Sequence, residues 1–357
     1  MTNMTRRQVI GAAVAGSFAA IAPKVALASE MSDAVPETRI GRIHRVIVDT
    51  DPGNDDALAI LMALDTDALH VEAMTVCPGN MGPEYEQQVK NALYIVDLAG
   101  RSGQVPVHAG MARPLLNRPY PVATFIHGKY GLGRVEAPVV RQKVANEHAV
   151  DAMRRIVHGA PGEITILALG GLTNIAMALL RDPAFAKDLK GIQFVGGRYA
   201  MPGLPPSYNV LVDPEAAHVV FTSGVPIVLA GVDVIGRNSV LVDADFDYIA
   251  GFNTERSRFF MATQDLRRTF EKTHRGTTGS TNPDPMAVAL AIRPALATKI
   301  TPLYVHVELN GELTRGLLVY GEDIYRGNPT PAPNVEMVLE AKAEDFKRMV
   351  FALLSKG

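Results

Sequence analysis

The 357-residue sequence contains a single cysteine, Cys77, and no tryptophan. One cysteine excludes an internal disulfide and any cluster of thiolate metal ligands. A metal bound by this chain must therefore have oxygen or imidazole ligands. The absence of tryptophan excludes indole stacking on an aromatic ligand.

The chain also has no excess of either charge. It carries 35 basic and 37 acidic side chains, for a formal net charge of -2. Because no basic stripe is present, nucleic acid is not an expected partner. Apolar residues make up 47% of the chain and charged residues only 20%, which is enough apolar side chain for a large folded core.

The N-terminal segment has no apolar run long enough to cross a membrane. The arginine pair Arg6 and Arg7 precedes the apolar residues 9–22, which fall short of the roughly 20 residues that span a bilayer. The small residues Ala26 and Ala28 follow in a typical cleavage pattern. We predict a twin-arginine-type signal peptide at 1–28, a periplasmic or secreted protein, and no stable membrane anchor after cleavage. That route carries folded proteins, which suits a chain without disulfides.

After a polar tether at 29–42, residues 43–357 form one domain in which strand and helix patterns alternate. The pattern predicts an open, mostly parallel α/β sheet with helices on both faces. We add a helical cap at 253–292 and a strand pair near 302–320. The predicted strands are 45–49, 71–76, 105–108, 164–169, 192–195 and 226–229, and the predicted helices are 57–64, 84–99, 147–158, 173–180 and 214–223.

Four carboxylates, those of Asp49, Asp51, Asp55 and Asp56, lie within eight positions at the end of the first predicted strand. Ligand sites of open α/β sheets lie beyond the carboxyl ends of the strands. Like charges packed so closely need a cation or hydrogen-bond donors, and carboxylate oxygens favour calcium or magnesium over zinc. The alternative is helix capping by aspartate before proline, as at Asp284. Four acids in one turn favour the metal.

Two other acidic motifs fit poorly. An EF-hand loop needs flanking helices and a glycine at its sixth position, whereas a strand enters here and Gly53 is fifth from Asp49. A phosphotransferase that forms an aspartyl phosphate would need a later lysine at a strand end, and none is evident.

The segment DTDPGNDDALAI, at 49–60, resembles the N-terminal signature of the calcium-dependent nucleoside hydrolases. The resemblance implies the fold described above, Ca²⁺ as cofactor, and hydrolysis of the N-glycosidic bond of a ribonucleoside to ribose and free base. It also implies a homo-oligomer, either dimer or tetramer. Further matching segments follow in the family's order: CPGN at 77–80, FIHGKYGLG at 125–133, LGGLTNIAMA at 169–178, YNVLVDPEAA at 208–217 and PDPMAVA at 283–289.

Matched position by position, the resemblance implies a role for each site residue. Asp51 is the base that takes a proton from a calcium-bound water, and Asp49 supports the turn. The implied metal ligands are Asp51, Asp56, the Leu169 carbonyl and Asp284. The implied ribose ligands are Asp55, Asn80, Asn209 and Asp284.

The chain departs from inosine-uridine-type relatives at three points. Pro283 stands where they have a histidine near the leaving base, and Ser207 stands where a glutamate grips the ribose 5′-hydroxyl in a loop, here residues 196–209, that is shorter than usual. The third departure is the missing tryptophan, which excludes the indole stacking attributed to purine-specific members.

Four further residues are candidates for roles at the site. Arg198 and Tyr208 can replace some of the missing contacts. A surface arginine paired with an acid is an equal alternative for Arg198. His274 is a candidate proton donor, although a solvated loop histidine is the favoured interpretation. His127 either packs or orients its loop. Nucleoside hydrolysis is the leading hypothesis; the alternatives are a hydrolase for another ribosyl compound and a calcium- and ribose-binding protein with weak or no turnover.

Overall fold

The structure, a computed structural model, describes residues 44–199, 205–321 and 331–356. The predicted signal peptide at 1–28 and tether at 29–42 lie outside the described residues. Within the described part of the chain, no helix is both long enough and apolar enough to span a bilayer.

The first strand shows why the sheet is buried on both faces. Val46 and Val48 of the strand His44–Thr50 pack into one core, whereas Ile47, between them, packs into the other. Alternate side chains of a strand point to opposite faces, so an uninterrupted apolar run requires a cover on each side. This strand pairs in parallel with a neighbour on each of its two sides.

The remaining elements follow the predicted alternation closely. The strands are β1 His44–Thr50, β2 Leu69–Val76, β3 Val107–Ala109, β4 Ile164–Ala168, β5 Gly191–Val195, β6 Ile227–Ala230, β7 Leu241–Val242, β8 Gly279–Ser280, β9 Ala297–Leu303, β10 Val305–Val307, β11 Leu318–Tyr320 and β12 Val335–Ala341. The helices are α1 Asn54–Leu64, α2 Tyr85–Leu98, α3 Thr124–His127, α4 Ala149–Gly159, α5 Thr173–Arg181, α6 Phe185–Asp188, α7 Tyr208–Val212, α8 Pro214–Phe221, α9 Val232–Asn238, α10 Asp243–Ala250, α11 Glu255–Arg275, α12 Pro283–Ile292 and α13 Ala343–Leu354.

Eight of these strands form the central sheet, in the order β3-β2-β1-β4-β5-β6-β12-β9. Every pairing in it is parallel except that of β9, which runs antiparallel to β12. The prediction of an open, mostly parallel sheet is confirmed. The described residues belong to one compact unit, as expected for a single α/β domain.

Helices cover both faces of the sheet. One core contains buried side chains of α1, α2, α11, α12 and α13, and the other contains those of α4, α5 and α8 together with the antiparallel hairpin β10-β11. That hairpin corresponds to the late strand pair predicted near 302–320. The predicted cap at 253–292 consists of α11, β8 and α12. Because α12 is buried over its first eight residues and packs against α1, it belongs to the core rather than to the rim.

Candidate active site

The turn after β1 is held together by the side chain of Asp56. Its Oδ1 accepts a hydrogen bond from Thr50 Oγ1 at 2.5 Å, and its Oδ2 accepts one from the Gly53 amide at 3.0 Å. Asp56 is the third residue of α1, where a carboxylate can reach back to the amide that precedes the helix. The chain therefore turns sharply through Pro52 and brings Asp51, Asp55 and Asp56 to the same part of the rim.

Asp51 joins this turn to the loop after β2. Its Oδ2 accepts a hydrogen bond from the Asn80 amide at 2.8 Å, while Asn80 Nδ2 donates to the Asp51 carbonyl at 2.9 Å and to Asp56 Oδ2 at 3.2 Å. Asp51 and Asn80 are 29 residues apart in the sequence, and they meet because their strands are parallel neighbours. The structure thus brings Asp51, Asp56 and Asn80 together.

Two glycines make room for the Asp51 carboxylate. A Cβ atom at Gly79 would lie 1.7 Å from Asp51 Oδ2, and a Cβ atom at Gly170 would lie 2.5 Å from Asp51 Oδ1. Both distances are shorter than any non-bonded contact of a real Cβ atom. The loops after β2 and β4 can approach Asp51 only because neither position has a side chain.

Asp55 is the acid of the turn that has a positively charged partner. Its Oδ2 lies 2.8 Å from Nη1 of Arg267, a buried residue of α11, and its Oδ1 lies 3.9 Å from His127 Nδ1. Burial favours the protonated form of Asp55, but the neighbouring Arg267 cation, followed by the interaction with His127, outweighs burial and leaves the pKa of Asp55 lowered. Asp55 is therefore ionised at neutral pH.

His127 holds the start of α1. Its Nδ1 accepts a hydrogen bond from the Asn54 amide at 3.2 Å, so the neutral ring carries its proton on Nε2. Burial lowers the pKa of His127 to about 4, which keeps the ring neutral at physiological pH. Of the two predicted roles for His127, the structure is consistent with orientation, since the ring links α3 to the turn that carries Asp55.

Asp55, Asp56 and Asp284 form a cluster of three buried carboxylates. One oxygen from each lies within 4.8 Å of the others. Burial, followed by repulsion from Asp55, raises the pKa of Asp56 to about 7, and burial with the three neighbouring acids raises that of Asp284 well above its ordinary value. Among the described residues, no donor is hydrogen-bonded to the Asp284 carboxylate.

The donor set of this site fits a hard divalent cation. Such a cation prefers carboxylate and carbonyl oxygens and would relieve the repulsion within the cluster. The close group contains Asp55, which was predicted to bind ribose, in place of Asp51, which was predicted to bind the metal. Asp51 is near enough to interact electrostatically with this cluster, because burial and then the charge of Asp56 raise its pKa well above the ordinary value.

The Leu169 carbonyl also lies at this rim. It accepts a hydrogen bond from Asn209 Nδ2 at 2.5 Å, and the same nitrogen donates to the Val195 carbonyl at 2.9 Å. Asn209 thereby ties α7 to the ends of β4 and β5. The predicted ribose ligand Asn209 and the predicted metal ligand Leu169 are in direct contact.

Asp49 lies behind the turn and is fully buried. Its Oδ1 accepts hydrogen bonds from Thr75 Oγ1 at 2.7 Å and from Asn174 Nδ2 at 2.8 Å, whereas its Oδ2 has no hydrogen-bond partner. Burial raises the pKa of Asp49 to about 7. These contacts, which connect β1, β2 and α5, agree with the predicted role of supporting the turn.

Two tyrosines lie near Asp51. Burial, followed by the charge of Asp51, raises the pKa of both Tyr120 and Tyr208, so each hydroxyl keeps its proton and remains a donor. The Tyr208 hydroxyl is buried without a hydrogen-bond partner. The sequence analysis selected Tyr208 but missed Tyr120, which lies in an irregular segment without a motif.

The other tentative residues are dispersed. His274 is exposed on the last turn of α11, where it stacks on Phe270 with ring centroids 4.5 Å apart, so the prediction of a loop position is wrong. Pro283 begins α12 and carries no ionisable group. Ser207 Oγ accepts a hydrogen bond from the Gly197 amide at 2.6 Å. Arg198 belongs to none of the ion pairs among the described residues, which disfavours the paired surface arginine.

Arg267 is the main site residue that the sequence analysis missed. Its Nη1 donates to Asn54 Oδ1 at 3.0 Å and faces Asp55, and its Nε lies 3.4 Å from Oε1 of the buried Glu271. Gln264 of the same helix donates to the Asn54 carbonyl at 3.2 Å. The sequence does show a polar helix face here, because positions 264, 267 and 271 recur at helical spacing and place three polar side chains on one face of α11.

Comparison with known proteins decides the family. The sequence profile described as inosine-uridine preferring nucleoside hydrolase matches residues 46–348. The chain belongs to this family. The nucleoside hydrolase therefore cleaves N-glycosidic bonds of ribonucleosides, and the recognition made from its motifs is confirmed.

Relatives named as nucleosidases or ribonucleoside hydrolases match most of this nucleoside hydrolase. Uridine nucleosidase 1 of Arabidopsis thaliana is 36% identical over 262 residues, 72% of this chain and 77% of the relative. The pyrimidine-specific ribonucleoside hydrolase RihA of Klebsiella pneumoniae is 31% identical over 304 residues, 84% of this chain and 95% of the relative.

Solved structures agree with the sequence relatives. A plant nucleoside hydrolase superposes with a TM-score of 0.82 at 29% identity, covering 88% of this chain and all of that chain. The purine-preferring ribonucleoside hydrolase of Gardnerella vaginalis superposes with a TM-score of 0.78 at 30% identity, covering 87% of this chain and 98% of the other. These likenesses favour nucleoside hydrolysis over a ribose-binding protein without turnover.

Proposed function

We propose that this nucleoside hydrolase uses one Ca²⁺ ion at the acidic cluster and Asp51 as the base that activates water. The observation that carries the proposal is the group of three buried carboxylates, Asp55, Asp56 and Asp284, with oxygens within 4.8 Å. The Leu169 carbonyl and the Asp51 carboxylate would complete the ligands. When bound, the ion supplies a Lewis-acid field that acidifies the attacking water.

Different residues would then have different roles in the reaction. Asp51 accepts the proton of the attacking water, and Asp55, Asn80, Asn209 and Asp284 hold the ribose hydroxyls. Because the ribosyl group becomes oxocarbenium-like as the C1′–N bond breaks, carboxylates close to the ring stabilise its positive charge. Because Asn80 is hydrogen-bonded to both Asp51 and Asp56, it fixes the position of the proposed base relative to the carboxylate cluster.

Uridine is the first substrate to test, because relatives named for uridine and for pyrimidine ribonucleosides match most of the chain. The purified protein should release uracil and ribose from uridine in the presence of Ca²⁺ and lose this activity in a chelator. Failure to hydrolyse any ribonucleoside with Ca²⁺ present would contradict the proposal. Inosine serves as the purine comparison.

Asp51→Asn should lower kcat for uridine by at least the ~10² to 10⁴ that a positioned base contributes. The amide keeps the shape of the side chain but cannot accept the proton. The control is Asp247→Asn, a change at an exposed position of α10, which should leave kcat unaltered. If Asp51→Asn folds as shown by circular dichroism and turns over at the wild-type rate, Asp51 is not the base.

Two further parts of the proposal concern the protein in its cell. The arginine pair and the cleavage pattern support export by the twin-arginine route to the periplasm or beyond, where Ca²⁺ is abundant. A dimer or tetramer stays a prediction, which sedimentation of the purified protein would test.

A further inference from the structure

A largely apolar cavity with a few polar groups lies between the loop after β5 and the hairpin β10-β11, and it has no role in the reaction as described so far. Its volume is about 630 Å³, within the ~300 to 1,000 Å³ usual for small-ligand pockets. The described residues that line it come from the loop after β5, from the residue before α7 and from the hairpin β10-β11: Arg198, Tyr199, Ser207, Leu317, Leu318, Val319 and Tyr320.

The cavity contains hydrogen-bond donors that the protein does not satisfy. Arg198 Nε and the Tyr320 hydroxyl are both buried without a hydrogen-bond partner. Buried polar groups are nearly always paired, so two unpaired groups in one cavity indicate that a ligand supplies the acceptors. Ser207, whose hydroxyl oxygen accepts from the Gly197 amide, still has a proton to donate.

The charge around the cavity favours an anion. Among its described lining residues there is one cation, Arg198, and no carboxylate. Burial lowers the pKa of Arg275; the charge of Glu271 opposes this change, and the positive charges of Arg267 and Arg198 add to it. Three arginines therefore interact in this region, together with the carboxylate of Glu271. Asp233 is the nearby acid. Both of its carboxylate oxygens accept a hydrogen bond from the Tyr199 amide, at 3.0 and 3.1 Å.

Residues of the cavity are neighbours, in sequence and in electrostatic interaction, of residues in the proposed ribose site. Ser207 lines it, and the next two residues are Tyr208, whose pKa is raised partly by Asp51, and Asn209, which donates to the Leu169 carbonyl. Arg275 interacts electrostatically with Arg198 on one side and with Asp55 on the other. These links are the grounds for assigning the cavity to a substituent of a substrate bound at the acidic cluster.

We propose that the cavity binds the 5′-phosphate of a ribonucleoside 5′-monophosphate, which makes such nucleotides substrates in addition to nucleosides. This inference rests on the proposed function, which places the 2′- and 3′-hydroxyls against carboxylates. A phosphate on either of those oxygens would be repelled by the cluster, which leaves the 5′ position. The Arg198 guanidinium matches the acceptor geometry of a phosphate.

The reaction is the same hydrolysis on a charged sugar. The C1′–N bond breaks, the water oxygen bonds to C1′, the base leaves with the electron pair of that bond and is protonated, and the proton of the water passes to Asp51. The products are ribose 5-phosphate and the free base. No phosphorus–oxygen bond changes, so inorganic phosphate is not formed.

The test compares uridine with uridine 5′-monophosphate, with release of uracil and of ribose 5-phosphate measured by chromatography. We expect hydrolysis of both, and Arg198→Met should lower the ratio of kcat/KM for the nucleotide to that for the nucleoside by about 10- to 100-fold, the usual effect of a hydrogen bond to a charged group. The control Arg348→Met removes an exposed arginine of α13 and should leave the ratio unchanged.

Each outcome separates the two proposals. Hydrolysis of uridine without hydrolysis of the 5′-monophosphate overturns the phosphate site and leaves the proposed function standing, whereas hydrolysis of neither contradicts the proposed function itself. If uridine 3′-monophosphate is hydrolysed with the same kcat/KM as uridine 5′-monophosphate, the assignment of the cavity to a 5′-phosphate is also overturned. A second readout is inhibition of uridine hydrolysis by ribose 5-phosphate, which Arg198→Met should weaken more than inhibition by ribose. If that variant does not fold, Tyr320→Phe provides the same comparison, and an unchanged ratio there overturns the inference.

Discussion

Asp51 lies in a space that two backbone segments define. The amide of Asn80 fixes one of its oxygens, and the Cα atoms of Gly79 and Gly170 lie against the carboxylate. A carboxylate confined in this way has little freedom to reorient, which suits a group that must face one water molecule. Under the proposed role of Asp51 as the base, the two glycines would contribute to the reaction through position, although neither carries a functional group.

Gly79→Ala should reduce kcat strongly while leaving most of the fold in place. The new Cβ atom would lie 1.7 Å from Asp51 Oδ2, so either Asp51 or the loop after β2 must move, and a displacement of about 1 Å at a reacting group can cost ~10²-fold. Steady-state kinetics with uridine and a circular dichroism spectrum measure the two effects.

The matched control is Gly159→Ala, at the last residue of α4, where a Cβ atom meets nothing within 4 Å. We expect normal kinetics for this variant. Equal kcat values for Gly79→Ala and the wild type would show that Asp51 does not need the position described here.

At the scale of elements, α11 holds α1 in place through polar contacts. Arg267 and Gln264 reach the side chain and carbonyl of Asn54, at the first turn of α1, and Arg267 also pairs with Asp55. The pair is buried on both sides, so removal of the cation leaves a carboxylate without water or a partner.

Arg267→Met should lower the free energy of unfolding by about 3 to 5 kcal/mol, the usual cost of an unpaired buried charge. Urea unfolding measures it. Arg134→Met is the comparison, since Arg134 forms an exposed pair with Asp265 and exposed pairs contribute about 0 to 1 kcal/mol. Similar losses in the two variants would contradict a structural role for the buried pair.

The acidic turn could be predicted from the sequence because its residues are contiguous and follow a strongly β-branched strand. Asn80 and Leu169 could be placed near it since parallel strands end at one rim. Arg267 could not, because nothing in the local pattern of α11 states which element its polar face meets. The unpaired donors of Arg198 and Tyr320 depend on the approach of the hairpin β10-β11 to the loop after β5, which is a tertiary contact without a sequence motif.

For the whole molecule, the buried acids should make stability depend on a bound cation. Asp56 and Asp284 have raised pKa values because burial and mutual repulsion disfavour their charges. A cation that binds only the folded chain offsets this repulsion and stabilises it by about 2.7 kcal/mol when present at ~100 times its Kd. The metal-free protein should therefore melt at a lower temperature than the calcium-bound protein.

Asp284→Asn should have opposite effects in the two states. In a chelator, the loss of one buried charge should raise the melting temperature above that of the wild type, whereas with Ca²⁺ the loss of one ligand should reduce the stabilisation. Differential scanning calorimetry with and without Ca²⁺ measures both. If Ca²⁺ raises the melting temperature of the variant as much as that of the wild type, Asp284 is excluded as a ligand.

The place of β12 in the sheet has a consequence for biogenesis. This strand is contributed by residues 335–341, yet it lies between β6 and β9 and pairs with both. Until residues 335–341 have been synthesised, the facing edges of β6 and β9 have no partner, so the central sheet cannot be completed before this late segment is available. Under the proposed export by the twin-arginine route, which carries folded proteins, the sheet and the acidic pocket would be completed before transport.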